Sequence, residues 1–324
     1  TKTNNFVYHE GSFIAKSPRD TSRPFEPGNH VWLLHHNNAG FGVLIDNEDG
    51  NSDLSFEDLD FVNIPGMVIA GEVNRGIHVN RVKLRLAPDD PLAFFAASSD
   101  GIHINGNGGD VVIENCDLGP NGDDKITNKG NYWAVTAIDL VTNKITVEPP
   151  AKKSNLNRWG ESGQQVIFIR GDFTVIGTST LASDPFRHTS KRHVLELSEI
   201  PRGVTTGVLV GNIDNAGARM VVRNNVLRDT RAQGILVQTR HVVVEGNTFE
   251  GIVGPAVKVA LSLNDWYESV ATGNILIRGN TFRRSSLSLR KSHELIHFDQ
   301  RNDGGEVVSV IDGVRIEGNQ IEQE

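Results

Sequence analysis

The chain has 324 residues, 22% of them charged and 38% hydrophobic, with a formal net charge of −8 and a single cysteine. This is enough chain to bury a large core, and the acidic balance lacks the basic footprint of a general nucleic-acid binder. One cysteine excludes an internal disulfide and a cysteine-rich metal site, and no apolar run approaches the roughly 20 residues that span a bilayer.

In chain order, Thr1 opens the sequence without an initiator Met or a signal-like apolar segment, and GVRIEGNQIEQE closes it directly after a repeat unit. Both ends read as cut from a longer precursor. LLHHNNAGFG (33–42) contains His35 and His36. Neighbouring histidines on a strand diverge, and no carboxylate stands at ligand spacing, so a structural role or a distant subsite is expected rather than a metal. The basic clusters RHTSKR (187–192) and FRRSSLSLRK (282–291) read as solvated faces.

A phrase then recurs: apolar, any, apolar, polar, Gly or Asn, Asn, any, apolar. It appears as VVIENCDL (111–118), MVVRNNVL (220–227), VVVEGNTF (242–249), ILIRGNTF (275–282) and GVRIEGNQI (313–321), with looser copies LSFEDLDF (54–61) and HVNRVKL (78–84). Its third-from-last positions are Leu59, Val82, Cys116, Asn225, Asn247, Asn280 and Asn319. Periods of about 20 to 40 residues with β-branched alternation indicate stacked coils. The period of two favours strands over helical repeats, and a β-sandwich with coincidental self-similarity is the weaker alternative. Asn after the polar position fits a turn, because it tolerates left-handed backbone and its amide can bond along a stack. Cys116 sits inside such a phrase and is expected to be a buried small residue.

The expected architecture is all-β, a right-handed parallel β-helix with an inserted small β-barrel or sandwich. The interval from Cys116 to Asn225 is 109 residues, and one coil accounts for about 25 of them, leaving roughly 80. The expected segments are therefore 1–126 (first part of the β-helix), 127–212 (the insertion) and 213–324 (the β-helix continued). Short strands with turns at TNKI and RGD, dense in Val, Ile and Leu, argue against a disordered loop in the insertion.

Three carboxylates stand out. SSDGIHI (98–104) holds Asp100 and GDDKIT (122–127) holds Asp123 and Asp124. In each coil a second strand follows the phrase, anchored by Ile102, Ile126 and Ile235, and two residues before each anchor come Asp100, Asp124 and Gln233. Residues two apart share a face, so these form a polar column on neighbouring coils roughly 4.8 Å apart. Asp123 lies in the turn GPNGDD, where alternation relaxes, and can face the same cleft. Stacked carboxylates without cations are costly as structure. Each raises the others' proton affinity, which is how an acid and a base arise from one residue type. Inverting glycoside hydrolysis asks for that set: Asp123 suits the general acid, and Asp100 with Asp124 suits the water-activating role. A calcium site and a solvated acidic turn are the bland alternatives.

Further candidates are substrate-binding. Arg231 lies one coil beyond the Asp pair and can meet sugar hydroxyls or the carboxylates, or pair with Asp229. Trp266 and Glu268 in NDWYES suit an aromatic platform with a hydroxyl-binding carboxylate, against a loop-packing Trp. His103 shares a face with Gly101, Lys125 adjoins the pair but points to the other face of a regular strand, and Gln233 completes the column. GNGG (106–109) reads as a tight turn, not a phosphate loop. No cofactor and no metal are expected.

DGIHI followed one coil later by GDDKI resembles the inverting β-helix glycosidases such as polygalacturonases. It departs from them in lacking a Gly-His-Gly segment after the Asp pair and an Arg-x-Lys pair in the following coil. The chain is closer in resemblance to glycoside hydrolase family 110, the α-1,3-galactosidases. That likeness rests on DGIHINGNGGDVVIENCDLGPNGDDKIT (100–127), RNNVLRDTRAQGILVQT (223–239), EGNTFEG (245–251) and LNDWYESV (263–270). It implies exo-acting, inverting release of terminal α-1,3-linked galactose, with Asp123 as acid and Asp100 and Asp124 as base pair. A galactose-containing glycan is the implied partner, with no nucleic acid or membrane, and secretion or periplasmic export is implied in the same way. An uncapped β-helix end would favour a homo-oligomer through exposed edges. A polysaccharide lyase, a polygalacturonase-like hydrolase and a non-catalytic carbohydrate-binding β-helix are the competing functions.

Overall fold

The computed structural model describes residues 6–9, 12–15, 40–45, 51–89, 94–150, 159–189, 191–216, 219–264, 266–270, 272–286, 294–302 and 308–322. His35 and His36 lie outside the described residues, as does part of each basic cluster. The chain forms two compact units, Thr1–Leu34 and His35–Glu324. In the first, Phe6–His9 pairs antiparallel with Ser12–Ala15.

The second unit is built on three parallel sheets of seven strands each. The first sheet carries the repeat phrase: Ser52–Glu57, Arg75–Asn80, Asp110–Glu114, Arg219–Arg223, Arg240–Glu245, Gly273–Arg278 and Val314–Glu317. The second holds the short strands that follow, among them Lys83–Arg85, Asp117–Leu118 and Val226–Arg228. The third includes Ile69–Glu72, Ile102–Asn105, Ile126–Lys129, Ile235–Gln238, Val257–Ser262 and Ile296–Arg301. The chain visits the three sheets in rotation, and each strand pairs with its counterpart one coil away. This is the connectivity of a parallel β-helix.

Two local features make the sequence coil this way. The residue before each third-from-last position is left-handed: Asp58, Arg81, Asn115, Asn224, Gly246, Gly279 and Gly318 all have φ between 53° and 64°. That bend separates the first sheet from the second and suits Gly and Asn, which pay little for positive φ. The position after it then bonds along the stack. Asn225 N–H and its side-chain amide both donate to Asn247 Oδ1, Asn247 repeats this to Asn280, and Asn280 to Asn319. Cys116 N–H caps the upper end on Asn225 Oδ1. Cys116 is buried, and burial pushes its thiol up to about 11. It is therefore no nucleophile at neutral pH.

Inward residues of the three sheets fill one continuous core, with Ile102, Ile126, Ile235, Val257, Val244 and Phe249 all fully buried. Each such side chain contributes about 1.5–3 kcal/mol relative to exposure. Between Ile126–Lys129 and Arg219–Arg223 the coil is interrupted by a seven-stranded antiparallel sheet. It runs from Tyr132–Asp139 to Leu209–Asn212 and has its own core around Trp133, Val147, Phe168 and Leu195. Leu181 bridges Leu197, drawing distant strands of this sheet together. A third apolar cluster, including Tyr132, Ile169, Phe173 and Leu261, joins this sheet to the coils. No helix is long and apolar enough to cross a membrane among the described residues.

Candidate active site

The site begins with the register of the third sheet. Ile69, Ile102, Ile126, Ile235 and Val257 align from strand to strand and all face the core. The corners that precede these strands are therefore stacked, which places Asp100, Asp124 and Gln233 one above another. Gly101 N–H bonds to Asp124 O at 3.0 Å and Lys125 N–H to Gln233 O at 2.9 Å. Gly101 allows this approach, since a Cβ there would meet Lys125 O at 2.4 Å. Asn121, fully buried, staples the corner by donating to Ser99 O, Asp123 O and Asp124 O, each at 2.9 Å. The Thr230 hydroxyl adds a bond to Asp123 O.

The three carboxylates sit in different surroundings. Asp100 is buried and its Oδ2 lies 2.6 Å from His103 Nδ1. Asp124 is buried and its Oδ1 accepts from Gln233 N–H at 2.9 Å. Burial, followed by the charges of Asp100 and Asp123, pushes the Asp124 carboxyl well above the usual range, with the Gln233 N–H and Lys258 pulling the other way. Asp123 has a third of its side chain exposed and accepts from Arg231 Nη2 at 3.1 Å. Arg231 also donates from Nε to Gly122 O, so it braces the turn that carries Asp123.

A second polar cluster lies further along the outer face of the same sheet. Lys129 and Gln238 are ladder neighbours, and alternation turns both away from the core. Lys129 forms a sheltered ion pair with Glu268, whose other oxygen accepts from Gln238 Nε2 at 3.0 Å. Trp266 is 43% exposed and has the Lys129 ammonium 6.0 Å from its ring centre. Glu268 stands between two left-handed non-glycine residues, Tyr267 (φ 54°) and Ser269 (φ 83°). Such backbone persists only where its surroundings over-determine it. Tyr132 N–H bonds to Tyr267 O and Ser269 N–H to Gly130 O, pinning this loop to the root of the antiparallel sheet. From Asp124 to Lys129 is five residues, on the order of 16 Å of strand. His103, Thr127, Leu236 and Lys258 form the row between, and Lys258 pairs with Asp299 at 2.9 Å.

Of the residues singled out from sequence, the structure brings Asp100, Asp123, Asp124, His103 and Arg231 together, with Gln233 taking part through its backbone. Trp266 and Glu268 gather at the far end of the same face. Lys125 does not join them. Its side chain is fully buried on the other face, its ammonium donates to Gly119 O, and burial holds it well below the usual lysine range. Arg231 meets Asp123 rather than Asp229. GNGG makes the expected turn, with Gly106 at φ 67°. Lys129, Gln238 and Lys258 escaped the sequence reading, although their signal was present: each holds an outward position of a strand anchored at Ile126, Ile235 or Val257. Among the described residues no group of three or more His, Cys, Asp and Glu is arranged to hold a metal ion.

No family model matches the chain. It is similar to "Alpha-1,3-galactosidase B" of Bacteroides thetaiotaomicron, 28% identical over 260 residues, covering 79% of this chain and 41% of the relative. Similarity to "Alpha-1,3-galactosidase A" of Bacteroides fragilis is 27% over 276 residues, covering 82% and 43%. A shorter stretch is 35% identical over 122 residues to "Alpha-1,3-galactosidase B" of Akkermansia muciniphila, covering 37% and 15%. The chain thus spans less than half the length of these relatives.

Proposed function

We propose that this chain, similar to the α-1,3-galactosidases, is a member of glycoside hydrolase family 110 and hydrolyses terminal α-1,3-linked galactose with inversion at the anomeric carbon. The observation that carries the reading is the stacked pair Asp100 and Asp124 with Asp123 at the exposed rim. Two buried carboxylates on adjacent coils share protons rather than ionising together. One of them is then available to take a proton from water. His103 orients Asp100 and the Gln233 N–H orients Asp124, so the water they hold has a fixed direction of attack.

Asp123 faces outward, where the leaving group departs. In its protonated form it transfers the proton to the glycosidic oxygen as the bond to the anomeric carbon breaks. Water held by Asp100 and Asp124 attacks that carbon from the opposite face and loses its proton to the pair. Arg231 steadies the turn bearing the acid. Further along the face, Trp266 offers an apolar surface to another part of the glycan, and Glu268, held by Lys129 and Gln238, accepts from hydroxyls there.

One observation favours a variant of this scheme, in which Asp124 is the acid: the carboxyl raised by burial is Asp124, whereas Asp123 faces a guanidinium. Two measurements test both. Proton NMR of Gal-α-1,3-Gal digestion from the first minutes should show β-galactose first; early α-galactose overturns inversion. Asp123→Asn should then spare a galactoside with an activated aryl leaving group, which needs no acid, while losing the disaccharide. Equal loss on both substrates transfers the acid role to Asp124.

A further inference from the structure

A crevice of about 380 Å³ opens where the antiparallel sheet meets the corners of three successive coils. Its two walls differ in kind. The sheet side is apolar, presenting Ile167, Ile169 and Val175 above Phe173. The coil side carries the polar groups, from equivalent corners one coil apart: Arg240 with His241, Asn274, and Asp312, with Leu261 and Val310 beside them. Left-handed backbone at His241 (φ 56°), Asn274 (φ 55°) and Gly313 (φ 62°) keeps these corners in step. Gly273 leaves room for the Asp312 carboxylate, since a Cβ there would stand 2.3 Å from its Oδ1.

The polar wall is not fully satisfied. Among the described residues Arg240 Nε is buried with no hydrogen-bond partner. The Asn274 amide donates to His241 Nδ1 at 2.8 Å, given the tautomer that accepts there. Among the described residues neither Arg240 nor Asp312 has an ion-pair partner. A buried donor left without an acceptor costs about 1–3 kcal/mol, so the crevice is arranged for a ligand that brings acceptors. None of Asp100, Asp123, Asp124, Trp266 or Glu268 lines it.

We infer that this crevice is a second glycan-binding site, separate from the acidic cleft, which takes one neutral hexose unit. A wall carrying one guanidinium, one carboxylate, an amide and an imidazole offers donors and acceptors without a net sign, which matches hydroxyls better than an ion. The apolar wall suits the C–H face of a pyranose ring. Its volume falls in the range of about 300–1,000 Å³ usual for small-ligand pockets. A site of this kind would hold a glycan chain while the cleft acts on its end, and its occupancy does not depend on hydrolysis.

The test uses the intact chain with isotope-labelled Ile and Val methyl groups and lactose as probe, whose β-linkage an α-specific hydrolase leaves intact. The methyl signals of Ile167, Ile169 and Val175 should shift saturably, with a Kd of about 1–10 mM, a few kcal/mol of binding. Val175→Trp fills the crevice and should abolish the shifts at Ile167 and Ile169 while turnover of Gal-α-1,3-Gal stays within twofold. Asp312→Asn, at an exposed position, should weaken them several-fold and serves if the tryptophan disturbs the fold. Absence of saturable shifts in the native chain, or their persistence in both variants, overturns the site. Larger shifts with methyl β-glucuronide than with methyl β-galactoside overturn its preference for a neutral sugar. A chain that binds lactose here but releases no galactose loses only the hydrolase reading.

Discussion

Two polar stacks lie on successive stretches of the same coiled ladder and could hardly be more different. The Asn225, Asn247, Asn280 and Asn319 column is neutral and bonded at every step, with its first three members buried. The Asp100 and Asp124 column is buried and acidic, and burial together with the charge of Asp100 raises the proton affinity of Asp124. One residue type offers both donor and acceptor, so each added rung supplies what the last one lacks. The other offers acceptors alone, so each added rung raises the proton affinity of its neighbour. The contrast teaches how to tell a stack that holds a fold together from one whose cost to the fold points to the proposed chemistry.

The sharpest way to break this contrast is Asp124→Asn. Turnover should fall about 10²–10⁴-fold, the usual scale for removing a positioned acid or base. The fold should gain, with the melting midpoint rising about 2–4 °C, since Asn can still accept from the Gln233 N–H without carrying charge. Sign follows from linkage. The folded-state pKa of Asp124 lies above its unfolded value, so the native chain loses stability as pH rises from the ordinary aspartate range through the raised value. The advantage of Asp124→Asn should therefore grow over that interval and vanish below it. A midpoint that falls at neutral pH would show that the carboxylate is not strained.

The converse change is Asn247→Ala. It strips the acceptor from Asn225 and the donor from Val222 O, and should cost about 2–4 kcal/mol of stability for two orphaned groups. Turnover measured well below the midpoint should be unaltered. Denaturant titration and initial rates together check this, and a stable but inactive variant would contradict the division between the stacks.

Glu268→Gln tests the ion pair between these extremes. It leaves Lys129 without its counter-charge but keeps the hydrogen-bonding shape, and should raise KM about tenfold, some 1.4 kcal/mol, with a smaller change in kcat. An unchanged KM would make the pair a brace for the sheet. The smallest effect belongs to Lys125→Met. Its ammonium lies in the interior, so kcat/KM should stay within about threefold while stability moves in either direction, because replacing a buried charge trades its desolvation against its bond to Gly119 O. A large loss of activity would put Lys125 back beside the substrate.

Much of this was legible in the chain itself. The phrase ending in Gly-Asn fixed the coil, because left-handed geometry and ladder bonding are local demands that only a few residue types meet. The equal offset of Asp100 and Asp124 from Ile102 and Ile126 placed them in one column, since coils in register stack their corners as well as their strands. What the chain could not disclose is how far each carboxylate is buried and which cation reaches it. Lys125 and Lys129 are four residues apart, one at the corner before the strand Ile126–Lys129 and the other at its end; the first is sealed in the interior and the second meets Glu268, 139 residues away. That outcome depends on where the antiparallel sheet roots and how the 266–270 loop folds over it. Within a strand, sequence periodicity decides which face a side chain takes, but at the corners the face itself, like the solvation and partners that set a side chain's charge, is decided only when coils distant in sequence close around it.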